Sequence, residues 1–170
     1  QQLENAGEAE IYGFELETLW APTNSLFFEA ALGNMDAENT EADPDAAVAG
    51  GPEDGDTLAF TPEWNYALSA NYIWDMQDWG TLTPRVDYNW RDDVFFTADN
   101  DPGNSQDSFG IWNASVQWTS PSDRYAVSAH WLNIADEDYI LYSEIAGSSG
   151  TGNDILGRPD EWYVTAEVRF

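Results

Sequence analysis

Apolar and polar residues alternate with a period of two along most of this chain. In 9–20 Tyr12, Phe14, Leu16 and Trp20 fall on one face, with Gly13, Glu15 and Glu17 on the other. The same alternation places Leu26, Phe28, Ala30 and Leu32 opposite Glu29, Ala31 and Gly33. It places Trp64, Tyr66, Leu68, Ala70, Tyr72 and Trp74 opposite Asn65, Ala67, Ser69, Asn71 and Asp75. Further on, Leu82, Pro84, Val86, Tyr88 and Trp90 oppose Thr83, Arg85, Asp87, Asn89, Arg91 and Asp93. Trp112, Ala114, Val116 and Trp118 oppose Ile111, Asn113, Ser115 and Gln117, and Tyr125, Val127, Ala129 and Trp131 oppose Ala126, Ser128 and His130. A last segment runs from Glu161 to the terminal Phe170, with Trp162, Val164, Ala166 and Val168 on its apolar face. Side chains of a strand point to alternate faces, so seven such segments predict seven two-faced antiparallel strands rather than helices.

The connections alternate as well. "APTNS", "DMQDWG" and "SPSD" are short and made of turn-forming residues. Long polar stretches at about 36–60, 97–108 and 136–159 separate them. The expected topology is an up-and-down meander with one tidy end and one elaborate end.

The rings decide which face is which. They cluster near the ends of the apolar faces: Trp64 and Trp74 bracket one strand, Trp112 and Trp118 another, Tyr12 and Trp20 a third. Small or aliphatic residues fill the middles. A lipid-facing band has this form, flanked by aromatic girdles and backed by a polar interior. Trp20, Trp64, Trp74, Trp112, Trp118 and Trp162 are the expected membrane-facing belt. Only a closed barrel satisfies every strand's backbone groups in hydrocarbon. The alternative on pattern alone is a secreted β-sandwich with an aromatic core.

Composition narrows the partners. Thirty-two acidic residues face five basic ones, all arginine, for a net charge of −27. A nucleic-acid partner would need a basic face, so it is excluded. The absence of cysteine excludes thiolate metal sites and disulfides. No apolar run approaches the ~20 residues of a spanning helix, a test blind to spanning strands.

Candidate chemistry is sparse. Asp99, Asp101 and Asp107 sit in a stretch with an oxygen-bearing side chain at every second position, as calcium loops have. The glycine and the closing glutamate of the EF-hand pattern are missing, so a solvated acidic loop is preferred to a weak calcium site. The acidic run Asp36, Glu38, Glu41, Asp43, Asp45, Glu53, Asp54, Asp56 reads the same way. Glu15, Glu17, Glu29, Arg85, Asp87 and Arg91 share the expected interior face. They predict a network of ion pairs there, or contacts to a polar ligand in transit. His130 lies beside Ser128, but no Gly-x-Ser-x-Gly element or orienting acid accompanies them, so no enzyme activity is expected.

Two stretches carry a resemblance. "NAGEAEIYGFELETLWAPTNSLFFEAALGNMDAE" resembles the late barrel region of TonB-dependent outer-membrane receptors, with Asn5, Gly7, Ala9, Gly13, Glu15 and Glu17 on the family's N-x-G-x-A-x-x-x-G-x-E-x-E strand. The ending "GRPDEWYVTAEVRF" resembles the family's last strand through Gly157, Arg158, Pro159, Val168 and Phe170. Val168 and Phe170 also fit the signal read by the barrel-assembly machinery, whereas Tyr163 and Thr165 stand where a polar residue and a glycine are expected. The resemblance implies a 22-stranded barrel filled by an N-terminal plug. It places residues 1–170 as the C-terminal part of that barrel in the bacterial outer membrane, without plug or earlier strands, cut at an extracellular loop before residue 9. The implied function is TonB-energised uptake of a scarce nutrient such as a ferric siderophore. The implied partners are outer-membrane lipid, the rest of the receptor, the TonB complex through the missing N-terminal part, and the assembly machinery. No cofactor is implied. Alternatives are a structural or adhesive outer-membrane barrel without energised transport, and a soluble secreted β-domain that binds ligand.

Overall fold

A computed structural model describes residues 7–42, 51–146 and 151–170. Asn5, Asp43 and Asp45 lie outside the described residues. The strands are β1 (Gly7–Trp20), β2 (Leu26–Ala42), β3 (Trp64–Tyr72), β4 (Trp74–Asp75), β5 (Thr81–Arg91), β6 (Val94–Phe95), β7 (Ser105–Gln106), β8 (Phe109–Thr119), β9 (Tyr125–Leu132), β10 (Ile140–Ala146), β11 (Thr151–Leu156) and β12 (Glu161–Val168). Seven of them form one antiparallel meander in the order β1-β2-β3-β5-β8-β9-β12, with the short β4 also paired to β5. The seven expected strands and their up-and-down order are therefore present.

Register keeps the two faces apart across the whole sheet. One row runs Trp20–Phe28–Ala70–Val86–Ala114–Trp131–Trp162, all apolar. A one-residue slip anywhere would put part of that row among the charges. The row also climbs. Trp20 is the last residue of β1, yet Trp162 stands six residues before the end of β12. At ~3.3 Å per residue over six steps of ~4.8 Å, that stagger is a strand tilt of roughly 35°, within the range of membrane barrels.

There is almost no internal core. Among the described residues the buried apolar side chains are Ala37, Val94, Phe96 and Ala126, whereas Leu68, Val86, Trp112 and Trp162 are exposed. A single sheet layer this apolar on one side cannot leave that side in water. Rings on the apolar face pair with one another across strands. Trp20 stacks on Phe28 at 5.3 Å, Tyr66 on Trp90 at 5.0 Å, and Tyr88 meets Trp112 at 4.4 Å.

Local chemistry closes the short turns. Thr23 Oγ1 accepts from the amides of Ser25 and Leu26. Gln77 and Gly80 take positive φ around a single 3-10 turn, and Trp118 Nε1 donates to the Trp79 carbonyl at 2.7 Å. Ser120 Oγ accepts from the Tyr125 amide.

Several sequence-based boundaries move. β2 continues to Ala42, so Asp36, Glu38 and Glu41 sit on a strand and not in the loop expected at 36–60. The strand holds because the returning segment hydrogen-bonds to it: Asn39 N donates to the Asp56 carbonyl and Leu58 N to the Ala37 carbonyl. The expected 64–75 strand breaks at Ile73, whose amide turns to the Ser25 carbonyl, leaving Trp74 on β4. β5 ends at Arg91, so Asp93 is off the ladder. The polar stretch at 136–159 contains the hairpin β10–β11, and 97–108 contains a 3-10 turn and β7. β12 ends at Val168. The Arg169 amide still reaches the Arg124 carbonyl, and Phe170 lies beyond, fully exposed.

Candidate functional site

The polar face sets two carboxylates and two uncharged polar side chains in one row. Glu29, Ser69, Asp87 and Asn113 are successive cross-strand partners on β2, β3, β5 and β8. Alternation alone puts all four on the side opposite Leu68 and Tyr88. Arg85, two residues before Asp87, joins them. Its Nε donates to Asp87 Oδ1 at 2.8 Å and its Nη2 to Glu29 Oε2 at 3.1 Å. Ser69 Oγ donates to the same Glu29 oxygen at 3.1 Å. Glu17 borders the concavity above this network, whose floor is made of the small residues Ala31, Ala67 and Ser69.

Of the six expected interior residues, Glu29 and Asp87 are both in contact with Arg85. Glu15 and Glu17 face the same side from β1, opposite Gly33 and Ala31. Arg91 stands apart at the upper end of β5, its guanidinium carbon 4.9 Å from the centre of the Phe109 ring. His130 stacks on its cross-strand neighbour Tyr163 at 4.6 Å, and Ser128 pairs with Thr165, so neither is set up as nucleophile or base.

The acidic loops spend their carboxylates on backbone. Asp54 Oδ1 accepts from Ala42 N at 2.7 Å and Asp56 Oδ2 from Glu53 N at 2.6 Å. Asp101 Oδ1 caps Gly103 N at 2.8 Å. Among the described residues no three His, Cys, Asp or Glu side chains are placed to hold a metal, so Asp99, Asp101 and Asp107 are not brought together as a calcium loop.

The upper end holds contacts that the alternation did not point to. Phe60, Phe96 and Tyr142 come from three different loops and meet with ring centres 5.6 to 6.2 Å apart. Asn100 is locked to Thr57 by two hydrogen bonds of 2.8 Å. Gln106 Oε1 accepts from the Ile140 amide. Phe109, stacked on Tyr139 at 4.6 Å, ties β8 to the β9–β12 loop. These residues lie outside the alternating segments of the sequence, and no periodicity marked them.

A tilted antiparallel meander, apolar outside and charged inside, with tidy turns below and tied loops above, is a section of a membrane barrel wall. The family description "TonB dependent receptor-like, beta-barrel" matches residues 1–134. The chain belongs to the TonB-dependent receptor β-barrel family. It is 27% identical over 158 residues to the pesticin receptors of Yersinia enterocolitica and Yersinia pestis, covering 93% of this chain and 22% of theirs. The chain thus spans about a fifth of the length of these relatives. Among solved structures, the ferric yersiniabactin uptake receptor FyuA from Yersinia pestis superposes with a TM-score of 0.84 at 22% identity, over 98% of this chain and 24% of FyuA. The unliganded ferric citrate transporter FecA gives 0.75 at 19% identity, over 96% and 25%. These likenesses fix the fold as a partial TonB-dependent receptor barrel. The family is one of receptors and not of enzymes, and its barrels lie in the bacterial outer membrane. In barrels of this kind the apolar outer face meets lipid and the polar inner face lines the lumen.

Proposed function

We propose that this chain is wall and mouth of a receptor-transporter that takes up a scarce nutrient, a ferric chelate of the siderophore class, across the outer membrane with TonB-coupled energy. The observation that carries the reading is the charged lumen row Glu29–Arg85–Asp87 on a sheet of this family. A soluble domain could not leave the opposite face bare. The ferric yersiniabactin uptake receptor and the ferric citrate transporter, which this chain resembles in fold, support the same class of cargo.

On this reading the 170 residues form the C-terminal strands. The remaining strands close the sheet from β1 and β12, whose outer edges are unpaired among the described residues. A plug from the N-terminal part fills the lumen and packs on the concavity beside Glu17 and Glu29. The plug carries the contact to the TonB complex. Val168 and Phe170 serve recognition by the assembly machinery, and the aromatic rows meet lipid at both interfaces.

Uptake of radiolabelled iron by iron-starved cells tests this. Cells producing the full-length receptor should accumulate iron from at least one ferric chelate, and loss of the TonB complex should abolish that accumulation. Accumulation that is indifferent to the TonB complex, or none from any chelate class, would rule the reading out.

A further inference from the structure

Arg91 is the last residue of β5 and belongs to the lumen row Asn65–Arg91–Phe109. Its Nε and Nη2 are closed off from solvent and donate to no acceptor among the described residues. These two atoms form one edge of the guanidinium, with parallel N–H bonds spaced for the two oxygens of a carboxylate. The same protein uses that edge twice elsewhere. Arg169 donates from Nε and Nη2 to the two oxygens of Glu167, at 2.8 and 3.2 Å. Arg85 divides the edge between Asp87 and Glu29. The chain has 32 acidic residues, yet none of those described takes the edge of Arg91. Its neighbour Asp92 turns an oxygen to the amide of Asp93 instead.

Buried charged donors without an acceptor are rare and unfavourable, so the missing partner calls for an explanation. Phe109 supplies half of it. A ring under the flat face of a guanidinium stabilises the cation while leaving its in-plane donors unused. The residue is held, desolvated and unpaired at the extracellular end of the lumen wall.

We propose that the Nε/Nη2 edge of Arg91 is a carboxylate fork, filled by a two-oxygen anion that none of the described residues supplies. The carboxylate belongs to the incoming ferric chelate or to a side chain from the remainder of the receptor. The first source rests on the uptake reading above, and the second does not. Because the edge is covered, a neighbouring group must shift as the anion enters. The Phe109–Tyr139 pair lies beside it, and Tyr139 belongs to the β9–β12 loop.

The test uses the purified full-length receptor with Arg91→Gln and Arg91→Lys. Lysine keeps the charge and loses the fork, and it stands in should the glutamine variant fail to assemble. The probes are ferric citrate, which presents carboxylates, and a ferric tris-hydroxamate that has none. Binding is read by tryptophan fluorescence and ligand-free stability by Tm. If the chelate fills the fork, both variants weaken ferric citrate binding by about 10- to 100-fold and leave the hydroxamate and the ligand-free Tm unchanged. If the receptor fills it, both variants lower the ligand-free Tm to a similar degree and leave chelate affinity unchanged. A lysine variant indistinguishable from wild type in both readouts would overturn the fork, leaving Arg91 a simple stacked cation. Wild-type receptor that binds chelates while both variants change nothing would overturn the fork alone. Failure to bind any chelate, with Tm lowered in both variants, would sink the uptake reading and keep the fork.

Discussion

The ring of Tyr139 lies across the backbone of Gly157, whose amide donates to the Tyr139 carbonyl at 2.7 Å. A methyl group on Gly157 would occupy the space of three ring carbons. The glycine of the Gly157-Arg158-Pro159 exit thus has a packing reason. It lets Tyr139 stack on Phe109 and hold the loop to β8. Gly157→Ala should destabilise the loop by about 1–3 kcal/mol, the usual range for overpacking. The same change in a Tyr139→Ala background should cost much less. Hydrogen exchange over 133–160 in the full-length receptor measures both, and equal costs would mean that the ring is not the obstacle.

Leu68 and Ser69 are chain neighbours on opposite faces. Leu68 is exposed on the apolar side, and Ser69 hydrogen-bonds to Glu29 on the polar side. Leu68→Arg should cost roughly 2–4 kcal/mol of folding free energy in lipid vesicles, and Ser69→Arg clearly less. Equal costs would reverse or erase the assignment of faces.

Arg85 separates two carboxylates that would otherwise repel. The group is well exposed, with relative accessibilities of 36%, 51% and 27% for Arg85, Glu29 and Asp87, so its contribution is screened. Arg85→Gln should cost about 1 kcal/mol at most, and less as salt is raised. Adding Glu29→Gln should recover part of that loss, which a double-mutant cycle reads directly. Strict additivity would show that the two side chains do not couple.

Most of the wall was legible in the sequence because a strand exposes its period of two wherever one face is wet and the other is not. The expected strand at 110–119 is β8 to within one residue, while that at 64–75 splits into β3 and β4 at Ile73. The extension of β2 to Ala42 was hidden, because above the bilayer both faces are polar and the alternation stops carrying information. The hairpin β10–β11 was missed for a related reason: "YILY" is a continuous apolar run, and its pairing is set by contacts with other loops. The lumen network was legible as a set of residues on one face. That Arg85 would bridge Glu29 and Asp87 while Arg91 would find Phe109 depends on cross-strand register, which alternation alone does not supply. The tie between Phe60, Phe96 and Tyr142 joins three loops far apart in sequence and left no local signal.

The central claim is that even-numbered residues of β3 face lipid and odd-numbered ones the lumen. The chain contains no cysteine, so single cysteines introduced along 64–72 can each carry a nitroxide in the full-length receptor in vesicles. Collision with oxygen, which concentrates in the bilayer, should peak at 66, 68 and 70. Collision with a water-soluble nickel chelate should be lowest at those positions. Oxygen maxima at 65, 67, 69 and 71, or a profile without period two, would contradict the account.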